Sequence, residues 1–262
     1  MKTRVHIVHP SFLNPANPIS VNLIGAGGTG SQMLTALAKI NAALGAFGHA
    51  GLQVTVFDDD TVERPNLARQ LFTEFEIGMN KAVVLINRYN CFFGTNWKAV
   101  PERFESFCSE DNNRSAKLTI SCVDTLSARI AIEKTIALQA IKANHRDSCL
   151  YLMDFGNSKD SGQVVLSTIG KIKQAESKKN TTVDSLPSLT TEYAELLASS
   201  EQGDDTPSCS LAEALDKQEL FINPVLANIG ASLLWTMFRD GIIQYRGFFL
   251  NLGDFRTQPI VV

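Results

Sequence analysis

The sequence predicts an α/β fold: a mostly parallel sheet with helices on both faces and an antiparallel extension on the C-terminal side. Three observations predict it. Residues 21–150 alternate short apolar runs with segments of helical spacing, as strand–helix–strand units do. The turn Gly25-Ala26-Gly27-Gly28-Thr29-Gly30 lies where the first apolar run gives way to the first helical segment, which makes the arrangement Rossmann-like. The chain closes with two apolar runs, 242–245 and 247–252, that read as a hairpin.

Each element follows from local pattern. Residues 21–24 form a short buried strand that ends in glycine. A helix over 31–44 puts Met33, Leu34, Leu37, Ile40 and Leu44 on one face, at spacings of three and four. β-Branched and aromatic residues make 52–57 the second strand, and Asp58, Asp59 and Asp60 stop it. A helix over 80–89, strands over 97–100 and 118–121, a helix over 126–143 and a strand over 149–154 continue the alternation. Residues 163–168 read as one further strand.

From 171 to 210 the composition turns to Ser, Thr, Lys, Asp and Glu, with Pro187 and Pro207 and weak periodicity. A polar crossover loop or insertion is expected there, with one short helix around 191–198. Residues 224–238 read as a buried helix, apolar nearly all round, with Ile229, Leu233 and Phe238 in the core rather than at a subunit interface. The whole of 1–262 is read as one domain.

Composition narrows the function. A net charge of −3 argues against broad electrostatic binding to nucleic acid or anionic lipid. The longest apolar runs are too short to span a membrane, and the first ten residues lack the apolar stretch of a signal peptide. Five scattered cysteines, an odd number without a C-x-x-C pair, fit a reducing cytoplasm. Cys91, Cys108, Cys122 and Cys149 lie on or beside apolar runs and are expected to be packed in the core. His6 and His9 form an H-x-x-H pair without a third ligand, which reads as an exposed strand or turn rather than a metal site.

The glycine turn is the first chemical feature. Gly25, Gly27, Gly28 and Gly30 let backbone approach phosphates, and the free amides of a helix start favour their charge. The plain alternative is a tight strand-to-helix turn with no ligand. Asp58, at a strand end, is placed to accept hydrogen bonds from ribose hydroxyls. Together they suggest a nucleotide without saying which one.

The next residues do more. Asp58-Asp59-Asp60-Thr61-Val62-Glu63-Arg64-Pro65-Asn66-Leu67-Ala68-Arg69-Gln70 resembles the D-x-D-x-V-x-x-x-N-L-x-R-Q signature of the ThiF/MoeB/HesA family, the adenylating core of ubiquitin-activating enzymes. The resemblance continues through Gly78-Met79-Asn80-Lys81 and Cys122-Val123-Asp124. On overall sequence the chain looks most like the ThiF-related member of plasmid-borne PRTRC cassettes.

What this resemblance implies is ATP-dependent adenylation of the C-terminal glycine of a small ubiquitin-like or sulfur-carrier protein, with ATP and Mg²⁺ as cofactors and a homodimer as the working unit. Bringing a carboxylate to a triphosphate is electrostatically costly, so positioned cations should supply most of the help. By resemblance Arg69 contacts the phosphates beside Asn66 and Gln70, Lys81 stabilises charge on the transferring phosphate, and Asp124 orients Mg²⁺. Asp60 belongs to the same cluster, near the metal or holding the loop. Arg129 fits the family's arginine one turn beyond Asp124. Val123 and Thr125 depart from the pattern, where Thr and Asn are usual.

Cys209, on the expected crossover loop, is placed to attack the acyl-adenylate as a thiolate, or else is a plain loop thiol. Paired zinc-binding C-x-x-C motifs, common in relatives, are missing, and Arg4 is the only early arginine, in an unrelated context. Two other readings compete with the enzyme. One is a catalytically reduced nucleotide-binding scaffold of a plasmid cassette. The other is a nicotinamide-dependent oxidoreductase, which leaves Arg69, Gln70 and Lys81 without a role.

Overall fold

The computed structural model describes residues 2–67, 69–107, 115–142, 148–193 and 217–262. Its strands are β1 (Thr3–Ile7), β2 (Ile19–Ile24), β3 (Leu52–Phe57), β4 (Lys98–Val100), β5 (Leu118–Ser121), β6 (Tyr151–Asn157), β7 (Ser161–Thr168), β8 (Asn180–Thr182), β9 (Ile242–Ile243), β10 (Tyr245–Asn251) and β11 (Arg256–Val261). The helices are α1 (Gly28–Ala46), α2 (Lys81–Phe93), α3 (Phe104–Phe107), α4 (Leu126–Lys142), α5 (Leu189–Glu192) and α6 (Ile222–Asp240).

An eight-stranded sheet runs in the order β11-β10-β7-β6-β5-β2-β3-β4. The block from β4 to β6 is parallel, and β7, β10 and β11 join it antiparallel. The α/β class and its antiparallel extension are therefore as the sequence predicts. Alternation along each strand serves two cores, because successive side chains leave opposite faces. Leu23 and Val56 pack with α1, α2 and α6, while their neighbours Ile24 and Phe57 pack with Phe104, Ile132 and Ile136. Asn223, Leu226, Gly230, Leu234 and Phe238 are buried on α6, and Ile229 and Leu233 pack partly buried against the same core.

The connection after β2 leads to β3, and the connection after β5 leads to β6, on opposite sides. A crevice must open between these two strands at their C-terminal ends, the usual ligand position in such sheets.

Four expectations need correction. The terminal hairpin is β10 with β11, not 242–245 with 247–252. Its turn is set by Asn251, whose Oδ1 accepts from the Gly253 and Asp254 amides at 2.8 and 3.3 Å. Ile242 and Ile243 instead pair with β1 in a separate three-stranded sheet.

Residues 171–193 are built into the fold rather than forming a featureless loop. β8 pairs parallel with β1, and Ile172, Leu186 and Leu189 are buried. The partner strand is far away in sequence, so local periodicity carries no trace of the pairing. The short helix starts at Leu189 and is capped by Ser188, whose Oγ accepts from the Thr191 amide; most of the expected 191–198 helix lies outside the described residues.

Cys91 is exposed, on the outer face of α2, whereas Cys149 is buried and Cys122 partly so. Cys108 lies outside the described residues. His6 is fully buried, not exposed. Its Nδ1 donates to the Val183 carbonyl at 2.8 Å, so Nε2 accepts from the Tyr151 hydroxyl at 2.9 Å. Burial holds the His6 pKa below its ordinary value, consistent with a neutral ring. His9 caps the turn Pro10–Phe12 through Nδ1. Among the described residues no group of three His, Cys, Asp or Glu side chains could hold a metal ion, and no helix is long and apolar enough to cross a membrane.

Candidate functional site

The crevice at the ends of β2 and β5 is a cleft of about 940 Å³. Its floor is the glycine turn. Gly25 has φ +88°, and a Cβ there would lie 2.8 Å from the Cys122 carbonyl oxygen, so only glycine lets β2 turn this close to β5. Gly27 is the N-cap of α1, which has neither a side-chain cap nor an acidic residue in its first turn. The first amides of a helix lack partners within it, so this end presents donors and partial positive charge. Gly25, Gly27 and Gly28 line the cleft; Gly30 does not, and sits where a Cβ would meet the Gly25 carbonyl oxygen.

One wall is the end of β3 with the head of α2. Asp58 accepts from the Ala26 amide at 2.5 Å and from the Asp60 amide at 2.9 Å, which ties this wall to the glycine turn. Burial pushes the Asp58 pKa up, and the two amides and Lys81 offset part of that. Asn80 caps α2 by accepting from the Val83 amide, while its Nδ2 donates to the Asp58 and Asp60 carbonyls. Lys81, 7% exposed, pairs through Nζ with Asp60 at 2.8 Å. An unpaired ammonium at that depth would cost several kcal/mol, about as much as many whole-protein mutations do. The Asp60 side chain is 66% exposed and faces water on its other side.

The rest of the lining, from the segment between β3 and α2 and the loop after β5, has bonding capacity left. Arg69 donates from Nη1 to Gln218 Oε1 at 3.0 Å, while its Nε, buried, has no partner among the described residues. Burial draws the Arg69 pKa down. Gln70 Oε1 is likewise buried and unpartnered among the described residues. Asp124 is exposed in the loop after β5. Behind it, buried Arg129 donates to the Val123 carbonyl at 2.6 Å and the Phe155 carbonyl at 2.8 Å, and pairs with Asp154. Burial pulls the Arg129 pKa down to about 10 and pushes Cys122 up to about 12, which makes Cys122 a packed thiol rather than a thiolate.

The structure thus brings Asp58, Asp60, Arg69, Gln70, Lys81 and Asp124 to one cleft with the glycine turn. Asn66 is elsewhere: its Oδ1 accepts from the Glu63 amide at 2.8 Å and closes the turn Arg64–Asn66, outside the cleft lining. Cys209 lies outside the described residues. Sequence reasoning missed Thr29, Asn157, Gln218 and Asn223, which line the cleft and are joined by hydrogen bonds. The available signal was Asn223 itself, an amide at the head of an otherwise apolar helix, where a buried polar group needs partners.

A switch-point crevice with a glycine turn, a bare helix N-terminus and a strand-end carboxylate defines the class: a Rossmann-like α/β fold. A sequence model of the ThiF family matches residues 3–237, and the chain belongs to that family. It is similar to ubiquitin-like modifier-activating enzyme 5 of Culex quinquefasciatus, with 29% identity over 126 residues, 43% of this chain and 30% of that protein. Among solved structures it is similar to PaaA, at TM-score 0.58 and 14% identity, covering 93% of this chain and 64% of that one. It is also similar to E. coli MccB with AMPCPP and MccA, at TM-score 0.58 and 16% identity, covering 94% and 64%. The match to E. coli MccB with ATP has TM-score 0.58 and 15% identity, covering 96% and 65%. These structures share the fold and are longer than this chain.

Proposed function

We propose that this chain adenylates the C-terminal carboxylate of a small protein or peptide at the expense of ATP, with a ubiquitin-like or sulfur-carrier protein ending in glycine as the substrate. The observation that carries the reading is the gathering of Arg69, Lys81 and Asp124, from three separate segments, around the bare N-terminus of α1 in one cleft. A hydride-transfer site has no use for that set of charges. The relatives add support: one is named as an activating enzyme, and E. coli MccB has been solved with ATP and with MccA.

In this reading a carboxylate oxygen of the substrate tail bonds to the α-phosphorus of ATP as the bond to the bridging oxygen breaks and pyrophosphate leaves. Arg69, a planar fork with an unpaired Nε, and the first amides of α1 hold phosphate oxygens. Lys81 supplies a fixed point charge, and Asp60 holds it in place. Asp124 and Asp60 offer exposed oxygen donors, the hard ligands that suit a Mg²⁺ carried in with the phosphates, where the ion would neutralise charge. The donor set fits because Mg²⁺ commonly takes only one or two carboxylates from the protein.

The homodimer and the plasmid-cassette assignment rest on resemblance alone. Cys209 as an acyl acceptor also stays a proposal on the same footing. Pyrophosphate exchange with ATP, Mg²⁺ and small proteins ending in glycine, taken from neighbouring reading frames, tests the reading. Exchange that disappears in Lys81→Ala is the expected result. ATP binding without exchange for any such protein overturns it in favour of a scaffold.

A further inference from the structure

The cleft holds a chain of side-chain hydrogen bonds whose direction is dictated from one end. Arginine can only donate, so the Gln218 atom facing Arg69 Nη1 at 3.0 Å is the carbonyl oxygen Oε1. The same oxygen accepts from Asn223 Nδ2 at 2.8 Å. That turns the Asn223 carbonyl oxygen the other way, where it accepts from the Thr29 hydroxyl at 2.9 Å and from Asn157 Nδ2 at 3.3 Å. One donor-only group therefore sets the polarity of every amide behind it.

The participants come from five places: the segment after β3, the segment before α6, the start of α6, the first turn of α1 and the end of β6. Asn223 is 2% exposed, so its amide is valuable when fully bonded and costly when not. It also presses on the glycine turn: a Cβ at Gly28 would come within 2.5 Å of Asn223 Nδ2.

We propose that Gln218 and Asn223 are positioning residues that hold the Arg69 guanidinium in register with the N-terminal amides of α1, so that both meet the same phosphate group. Neither touches the reacting atoms. Gln218 acts through Arg69, and Asn223 acts through Gln218 and Thr29. The relay bears on catalysis only if the adenylation reading holds, but its geometry and its effect on ATP binding do not depend on that reading. A long cation that is already oriented loses less freedom when it grips its ligand.

Nitrogen relaxation of the Arg69 Nε–H, assigned by its disappearance in Arg69→Lys, reads the relay directly in the full chain. Arg69 should lose order in Gln218→Ala and in Asn223→Asp, which keeps the size of the side chain but lacks the donor. Gln218→Glu retains an acceptor oxygen and should keep Arg69 ordered. Titrated with ATP, Gln218→Ala should bind about tenfold more weakly than the unmodified chain, and should add nothing in an Arg69→Ala background. Unchanged Arg69 order in Gln218→Ala, or an equal loss of ATP affinity with and without Arg69, overturns the relay. A relay that behaves as expected in a protein showing no pyrophosphate exchange removes the adenylation reading and leaves the positioning role standing.

Discussion

The residues lining the cleft fall into two sets, called walls below, that are built on opposite principles. On the wall of β3 and α2, the Asp58 carboxylate, the Asn80 amide and the Lys81 ammonium are committed to neighbours within the protein. On the wall of Arg69, Gln70 and Asp124, a buried Nε and a buried Oε1 lack partners among the described residues, and a carboxylate faces water. The committed wall shapes the cleft through bonds that are already made. The open wall holds polar atoms that are costly to bury alone, and a bound phosphate or metal would relieve that cost. Shape and affinity are thus assigned to different residues.

That contrast can be broken by experiment, most severely from behind the open wall. Arg129→Leu leaves Asp154 buried without its partner and frees two carbonyls, and should cost roughly 3–5 kcal/mol in urea denaturation. Adding Asp154→Asn should recover part of the loss, since the stranded charge is then gone. Equal stability of the single and double variants would show that the stranded Asp154 charge is not the source of the loss.

A smaller loss is expected on the committed wall. Asp58→Ala orphans the Ala26 and Asp60 amides and should lower stability by about 1–3 kcal/mol. The smallest stability effect belongs to the open wall. Arg69→Ala removes a guanidinium with one side-chain bond and should leave the unfolding free energy within about 0.5 kcal/mol of the parent, while ATP affinity drops roughly 10- to 100-fold. If Arg69→Ala unfolds the protein as readily as Asp58→Ala, the two walls are not different in kind.

How much of this was legible follows from which interactions are local. The helix over 31–44 and the strands 52–57 and 118–121 were readable because periodicity and β-branched content lie within the segment itself. The glycine turn and Asp58 were readable for the same reason. The terminal hairpin lies one strand beyond the place that apolar content indicates, because Asn251 sets its turn. Residues 171–193 and His6 are not legible locally: β8 is held by β1, from the other end of the chain, and His6 is bonded to Tyr151, 145 positions away.

What the sequence by itself determined is the alternation of strands and helices from residue 21 to 154, the glycine turn at the first crossover, and the membership of Asp58, Arg69, Lys81 and Asp124 in one motif set. What only the tertiary structure decided is which bonds those groups already make. Asp60 commits one oxygen to Lys81, Asn66 is bonded within its own turn, and Gln218 is bonded to both Arg69 and Asn223. The reason is physical: periodicity and turn chemistry act over a few residues and are written in the chain. Hydrogen-bond satisfaction in a buried cleft is settled between atoms as many as 194 positions apart, and only once the sheet has brought them together.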